Sequence, residues 1–181
     1  MKKFELTNEF ITNMFGTKLF RIRALVEFGD VEAGELGGYV EKESNLGHDD
    51  NAWVYGDAQV SGDARVYGNA WVYGDAQVSG DARVYGNARV CGDARVCGNG
   101  DYAYAHGFGS VNRTTTFFRL KDGGVGVRCG CFYGTLAQFR DKIRETHGET
   151  KKAQEYLMLA DLMELRFEED ENEVGNRKYV E

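Results

Sequence analysis

Proline is missing altogether from the 181 residues, while glycine occurs 24 times. The missing proline excludes a collagen-type repeat and a polyproline linker, and so much glycine without it fits many tight corners between short strands. No stretch is long and apolar enough to cross a bilayer, and the opening MKKFELTNEF lacks the apolar core of a secretory signal. The expectation is a chain with neither a signal peptide nor a membrane anchor, and no membrane partner. A basic excess is missing too. The net charge is −7. Residues 1–50 carry six Lys/Arg against ten Asp/Glu, residues 51–104 four against six, and residues 105–181 twelve against thirteen. With no basic segment, direct nucleic-acid binding is not expected as the main task. Cysteine is scarce, at four residues. In a chain without secretion features these read as reduced thiols rather than a disulfide frame.

What the chain does have is an 18-residue block repeated without one change. Residues 51–68 and 69–86 both read NAWVYGDAQVSGDARVYG, and an altered third copy follows with NARVCGDARVCG at 87–98. Each block is three hexads of the form [ND]-A-x-V-x-G. A fixed short period of this kind marks a repeat architecture. Six residues make one flat face and three faces close one coil, which describes a left-handed triangular parallel β-helix. Residues 33–50 have the length of one coil but match the hexad poorly, and read as a degenerate first coil. About four coils are expected.

The hexad has a direct physical reading. Ala and Val stand two apart, so they share one side of a strand, and that side must be the narrow interior. Gly with Asp or Asn makes the corner. The remaining positions point outward and stack with an 18-residue period. Trp53 lies over Trp71 and then Arg89. Gln59 lies over Gln77 and then Arg95. Arg65 lies over Arg83 and then Asp101. The Trp column reads either as an exposed interface patch or as packing beneath a cap or against a sister subunit. The Arg column reads either as pairing with nearby Asp or as a groove for an anionic ligand or acidic partner. Trp53, Trp71, Arg65, Arg83, Arg89 and Arg95 are therefore the candidate binding residues. An Ala/Val interior makes a thin core, and packing three rods along flat faces would add to it, so a homotrimer is expected.

The flanks differ from the coils. Residues 1–32 form a small β cap, with period-two alternation from Leu19 to Val26. The β-helix is placed at 33–107, closing on the Gly-rich crossover AHGFGS. Residues 108–167 form an α+β domain, in which a hairpin of Thr114–Leu120 and Val125–Cys131 precedes two helices. Thr135 and Gln138 have capping-box spacing, Leu136, Phe139 and Ile143 share a face, and Gly148 is placed as the stop. The second helix runs from about Thr150 to Phe167, with Tyr156, Leu159, Met163 and Phe167 as its apolar stripe. Residues 168–181 make an acidic tail. Cys129 and Cys131 share a face of a strand and could join His147 in a partial zinc set, but a second close pair is missing, so neither a metal nor a cofactor is expected.

The segment FGTKLFRIRALVEFGDVEAGELGGYVEKESNL, the hexads, and TTTFFRLKDGGVGVRCGCFYGTLAQFRDKIRETHGETKKAQEYL together resemble a group of phage and prophage hexapeptide-repeat proteins over residues 5–167. The group is loosely labelled polymer-forming or transferase-like. The resemblance implies a phage-related origin and action in the cytoplasm of a bacterial cell, and it supplies no catalytic residue. On that basis a non-enzymatic binding protein is expected, antagonising host defence by occluding a host protein, such as a CRISPR-type nuclease, or sequestering a nucleotide signal. A self-assembling structural protein is the second expectation, weakened by caps at both ends. The third is an acyltransferase, since the coils alone resemble hexapeptide acyltransferases. Those need a base, usually His, and here His48, His106 and His147 all lie outside the regular coils.

Overall fold

The computed structural model describes residues 1–168, so the tail from 169 onward lies outside the described residues. The chain is mainly β, with a β-solenoid of about three turns and two C-terminal helices. Its strands are β1 (Phe4–Thr12), β2 (Lys18–Ala24), β3 (Leu36–Val40), β4 (Trp53–Val54), β5 (Gln59–Val60), β6 (Arg65–Val66), β7 (Trp71–Val72), β8 (Gln77–Val78), β9 (Arg83–Val84), β10 (Arg89–Val90) and β11 (Arg95–Val96). A second group comprises β12 (Tyr102–Phe108), β13 (Arg113–Arg119), β14 (Val125–Cys129) and β15 (Phe132–Thr135), followed by α1 (Leu136–His147) and α2 (Lys151–Phe167).

Each hexad gives one two-residue rung, and the rungs pair in parallel at a spacing of 18 residues: Trp53 with Trp71 with Arg89, Gln59 with Gln77 with Arg95, and Arg65 with Arg83. The inward Ala and Val are sealed from solvent, from Ala52 to Val96. A buried Val contributes about 1.5–3 kcal/mol, and the stack repeats that contribution rung by rung. The first face carries β3, β5, β8 and β11, the second β4, β7 and β10, and the third β6 and β9. The irregular segment 33–50 joins the stack on two faces only. Tyr39 and Val40 pair with Gln59 and Val60, and Leu46 bridges to Val66. The hairpin β1–β2 extends the first face antiparallel through β3.

An open solenoid end leaves backbone groups without the next coil. Side chains take over at both ends here. The buried Lys3 ammonium donates to the carbonyls of Asp50 (3.3 Å) and Ala52 (2.9 Å). The buried Asn45 amide donates to Gly62 (3.1 Å) and Ala64 (2.8 Å). At the far end the Arg83 N–H donates to Asn99 Oδ1 (2.9 Å), and the Arg89 N–H to Thr116 Oγ1 (3.0 Å). The Tyr102 hydroxyl donates to the Arg83 carbonyl at 2.5 Å, and Ala94 bridges to Leu120.

The C-terminal unit differs from the expected two-stranded hairpin. It is a four-stranded antiparallel sheet in the order β12–β13–β14–β15. The Gly-rich segment expected as a crossover is the end of β12, which bulges between Ala105 and Phe108 against β13. Neighbouring residues of β13 serve different cores, because successive side chains point to opposite faces. Phe118 packs into the solenoid core, while Phe117 packs with Val127, Leu136, Phe139, Ile143, Tyr156 and Met163 under the helices. The expected capping box is present: Gln138 N–H donates to Thr135 Oγ1 (3.3 Å), and Thr135 N–H to Gln138 Oε1 (2.9 Å). Gly148 caps α1, and Thr150 caps α2. The buried face of α2 is Ala153, Tyr156, Ala160, Met163 and Phe167, with Leu159 at its margin. Arg140 ties the helices together through Asp161 and Glu164, each at 2.8 Å.

Candidate functional site

The outward columns have different fates on the three faces. On the second face Trp53 is fully buried, with Phe28 (5.3 Å), Phe4 (6.2 Å) and Tyr55 (6.5 Å) edge-on to it. Of the two readings of the Trp column, Trp53 takes packing beneath the N-terminal cap, not the exposed patch. Its position in the hexad points it out of the coil, but the N-terminal segment folds over it. Trp71 stays half-buried, and the Arg89 guanidinium lies 3.9 Å from its ring centroid. The two Trp residues thus support the fold unequally, and only Trp71 and Arg89 reach a surface cleft.

On the first face Arg95 turns back to the backbone, donating to the carbonyls of Asp75 (3.1 Å) and Ala94 (3.0 Å). That use makes it a corner clamp.

The third face is where cationic groups remain unspent. Arg65 and Arg83 are exposed and stacked in register. Among the described residues neither has a carboxylate within 4.0 Å. Two of the corner acids are taken elsewhere: Asp63 pairs with Lys42 at 2.9 Å and Asp93 with Lys121 at 3.1 Å. The hydrogen bond from Lys42 holds the Asp63 carboxyl below its ordinary range. Asp101, expected next in the Arg column, does not continue it. It sits in a 3-10 turn and accepts from the N–H groups of Cys97 (2.9 Å) and Gly98 (3.1 Å).

Beside these arginines runs a column the sequence reading passed over. Tyr67 and Tyr85 stack at 5.3 Å with rings 12° from parallel, and Tyr104 meets Tyr85 edge-on at 6.0 Å. The signal was present, since Tyr recurs at the fifth hexad position 18 residues apart. Tyr67, Arg83, Tyr85, Tyr102, Tyr104 and Arg166 enclose a cleft of about 570 Å³. A smaller groove of about 260 Å³, with Arg65 and Ser44 on its wall, adjoins it through Tyr67 and Arg83. Burial raises the Tyr102 hydroxyl well above the ordinary tyrosine range, so it stays a neutral donor to the Arg83 carbonyl. The cleft therefore combines flat aromatic walls with guanidinium edges, a pairing that suits an anion carrying a planar ring.

Histidines and thiols take mostly structural places. His48 accepts from the Lys3 N–H (3.2 Å), lies 2.9 Å from Glu43 Oε1 and stacks on Phe4 at 4.5 Å. His147 stacks on Tyr156 at 5.9 Å. His106 is exposed, with Nδ1 2.9 Å from Thr114 Oγ1. Cys91 is buried, and burial pushes its thiol up. Cys129 accepts from Thr115 Oγ1 at 3.2 Å, while Cys131 falls in the turn after β14 and not on the strand as expected. Among the described residues no group of three or more His, Cys, Asp or Glu could hold a metal ion. Among them, too, no helix is long and apolar enough to cross a membrane.

Comparison with known proteins agrees with the repeat. A family model described as the YdcK beta solenoid repeat matches residues 58–74 and 76–92. The chain is similar to the uncharacterized acetyltransferase YdcK of Escherichia coli (strain K12), at 35% identity over 82 residues. That match covers 38% of this chain and 25% of the relative, so the chain spans about a quarter of that protein's length. The shared feature is the β-solenoid repeat.

Proposed function

We propose that this protein is a non-enzymatic binding scaffold, which takes an anionic ligand of the nucleotide class on its third face. The observation that carries this reading is the Arg65–Arg83 column, without a carboxylate partner among the described residues, running beside the stacked Tyr67 and Tyr85 and the edge-on Tyr104. Calorimetric titration with ADP, pyrophosphate and adenosine tests it. ADP is expected to bind more tightly than either part, and Arg83→Ala to weaken it about tenfold or more, as for loss of a charged hydrogen bond. No binding, or a variant with unchanged affinity, defeats the reading. Binding of an acidic host protein without nucleotide affinity moves it to protein occlusion. A role in phage antagonism of host defence, in the bacterial cytoplasm, rests on the family resemblance alone.

The scaffold is further read as left-handed, with residues 33–50 as the remnant of a fourth coil and boundaries near 32 and 167; the boundary expected at 107 would cut β12, so it is placed before Tyr102. A homotrimer stays part of the proposal. It has lost the support of the Trp column, since Trp53 is covered within its own chain. Native mass spectrometry reads the subunit number directly.

One observation favours a second reading. The similar E. coli protein carries an acetyltransferase name, and His106 stands beside the second face of the coils. Acetyl-CoA consumption that disappears in His106→Ala would support acyl transfer. Absence of turnover with a range of amine and hydroxyl acceptors would end it.

A further inference from the structure

We propose that the cleft on the second face is a separate binding site for a polyhydroxylated anion, of the sugar phosphate or sugar acid class. It has a volume of about 620 Å³ and lies between the coils, the loop at Gly29–Asp30 and the ends of β12 and β13. The argument starts from its floor. Asn51 donates to Asn69 (3.2 Å) and Asn69 donates to Asn87 (3.4 Å), so the three amides point the same way along the stack. Such a row keeps an open amide donor at one end, Asn87 Nδ2, and an open acceptor at the other, Asn51 Oδ1.

The charges on the walls follow the same direction. At the Asn87 end stands Arg89, its guanidinium carbon 3.9 Å from the Trp71 ring centroid, with N–H donors that can reach an anion in the cleft. Arg113 reaches the same end past Gly130, where a side chain would collide with its guanidinium. His106, with Nδ1 on Thr114, adds a further polar group there. Among the described residues neither Arg89 nor Arg113 has a carboxylate partner within 4.0 Å. At the Asn51 end stands Asp30, an acceptor that suits hydroxyl donors and repels a second anion. A bare phosphate would use one end only. The first and third rungs lie roughly 10 Å apart at the usual strand spacing, the span of a single sugar bearing one charged group. The half-buried Trp71, with Arg89 over its ring and Tyr55 against it at 5.1 Å, adds an apolar border to the cleft.

Calorimetric titrations at fixed ionic strength with glucose 6-phosphate, glucuronate, inorganic phosphate and glucose test the site. One or both of the first two should bind at least tenfold more tightly than phosphate or glucose, and which of them binds separates a phosphate head from a carboxylate. Arg89→Ala and Asn87→Ala should weaken that binding, the former about tenfold. Arg83→Ala, on the other face, should leave it unchanged, so this site and the third-face site can fail independently. All these residues line open surface, and an unchanged melting temperature shows that a variant is folded. No binding of either sugar anion, phosphate binding as tightly as glucose 6-phosphate, or an unaltered affinity in Arg89→Ala overturns the proposal.

Discussion

Lys3 shows what a single residue does at an open solenoid end. Its ammonium spans two carbonyls that have no coil above them, and burial lowers its pKa from 10.5 to about 8. The unfolded chain therefore binds the proton more readily than the fold does. Between about 8 and 10.5 stability should rise with pH through this group, and below about 8 its cost is constant. Buried tyrosines act the other way above about 10; burial pushes Tyr55 up to about 12. Melting temperatures of the native protein and Lys3→Met from pH 7 to 10 should show the native protein gaining relative to the variant across the upper part of that range. Gly92 shows a different single-residue constraint. Its φ is +60°, and the Tyr133 hydroxyl occupies the place where a Cβ would stand. Gly92→Ala should cost about 2 kcal/mol in urea unfolding, through backbone strain and displacement of the sheet.

At the scale of elements, the two identical blocks permit an unusual deletion. Removing 69–86 restores the same junction, because 51–68 ends as 69–86 does. The shortened chain should keep its β signature by circular dichroism and melt at a lower temperature, having lost three rungs and their buried Val. It should also lose much of the nucleotide affinity, since one arginine of the stacked pair is gone. The same regularity explains what was legible. Ala–x–Val fixes which side faces inward, and the 18-residue period fixes the register, so Ala52 to Val96 could be read directly. The cap of α1 was legible because Thr135 and Gln138 bond locally. Parity says which side Trp53 takes, but not that Phe4 and Phe28 cover it. The strand β12 was hidden because Gly107 and its bulge interrupt the alternation, and β15 because its four residues, Phe132–Thr135, run straight from the turn after Cys129 into the cap of α1. Both clefts depend on contacts between the coils and distant segments. Their arginines were visible in the sequence, but not their lack of carboxylate partners.

At the scale of the whole molecule, two separate cores share one sheet. Phe118 belongs to the solenoid and Phe117 to the helices, so β13 couples the stability of both. The sheet also closes the last coil through Thr116, Tyr102 and Leu120. A chain ending after residue 98 would expose that coil's edge and should associate in a concentration-dependent way, seen as rising mass in sedimentation. A sharp monodisperse mass for that truncation would show that the edge needs no cover. Thr116→Val should cost about 1–3 kcal/mol by leaving the Arg89 N–H without an acceptor.

The perfect tandem block also sets a problem for folding. A nascent coil that pairs with the wrong copy is displaced by a whole repeat, so every Ala and Val in the mispaired rungs still faces inward and the packing within those rungs does not report the mistake. Local contacts cannot separate the two alignments. Contacts of the coils with the two ends distinguish them, among them those of Lys3 and Asn45 at one end and of Asn99 and Thr116 at the other. Transient misaligned species that resolve slowly from the ends are the expected signature of refolding, and exchanging a few outward residues of one copy should remove them.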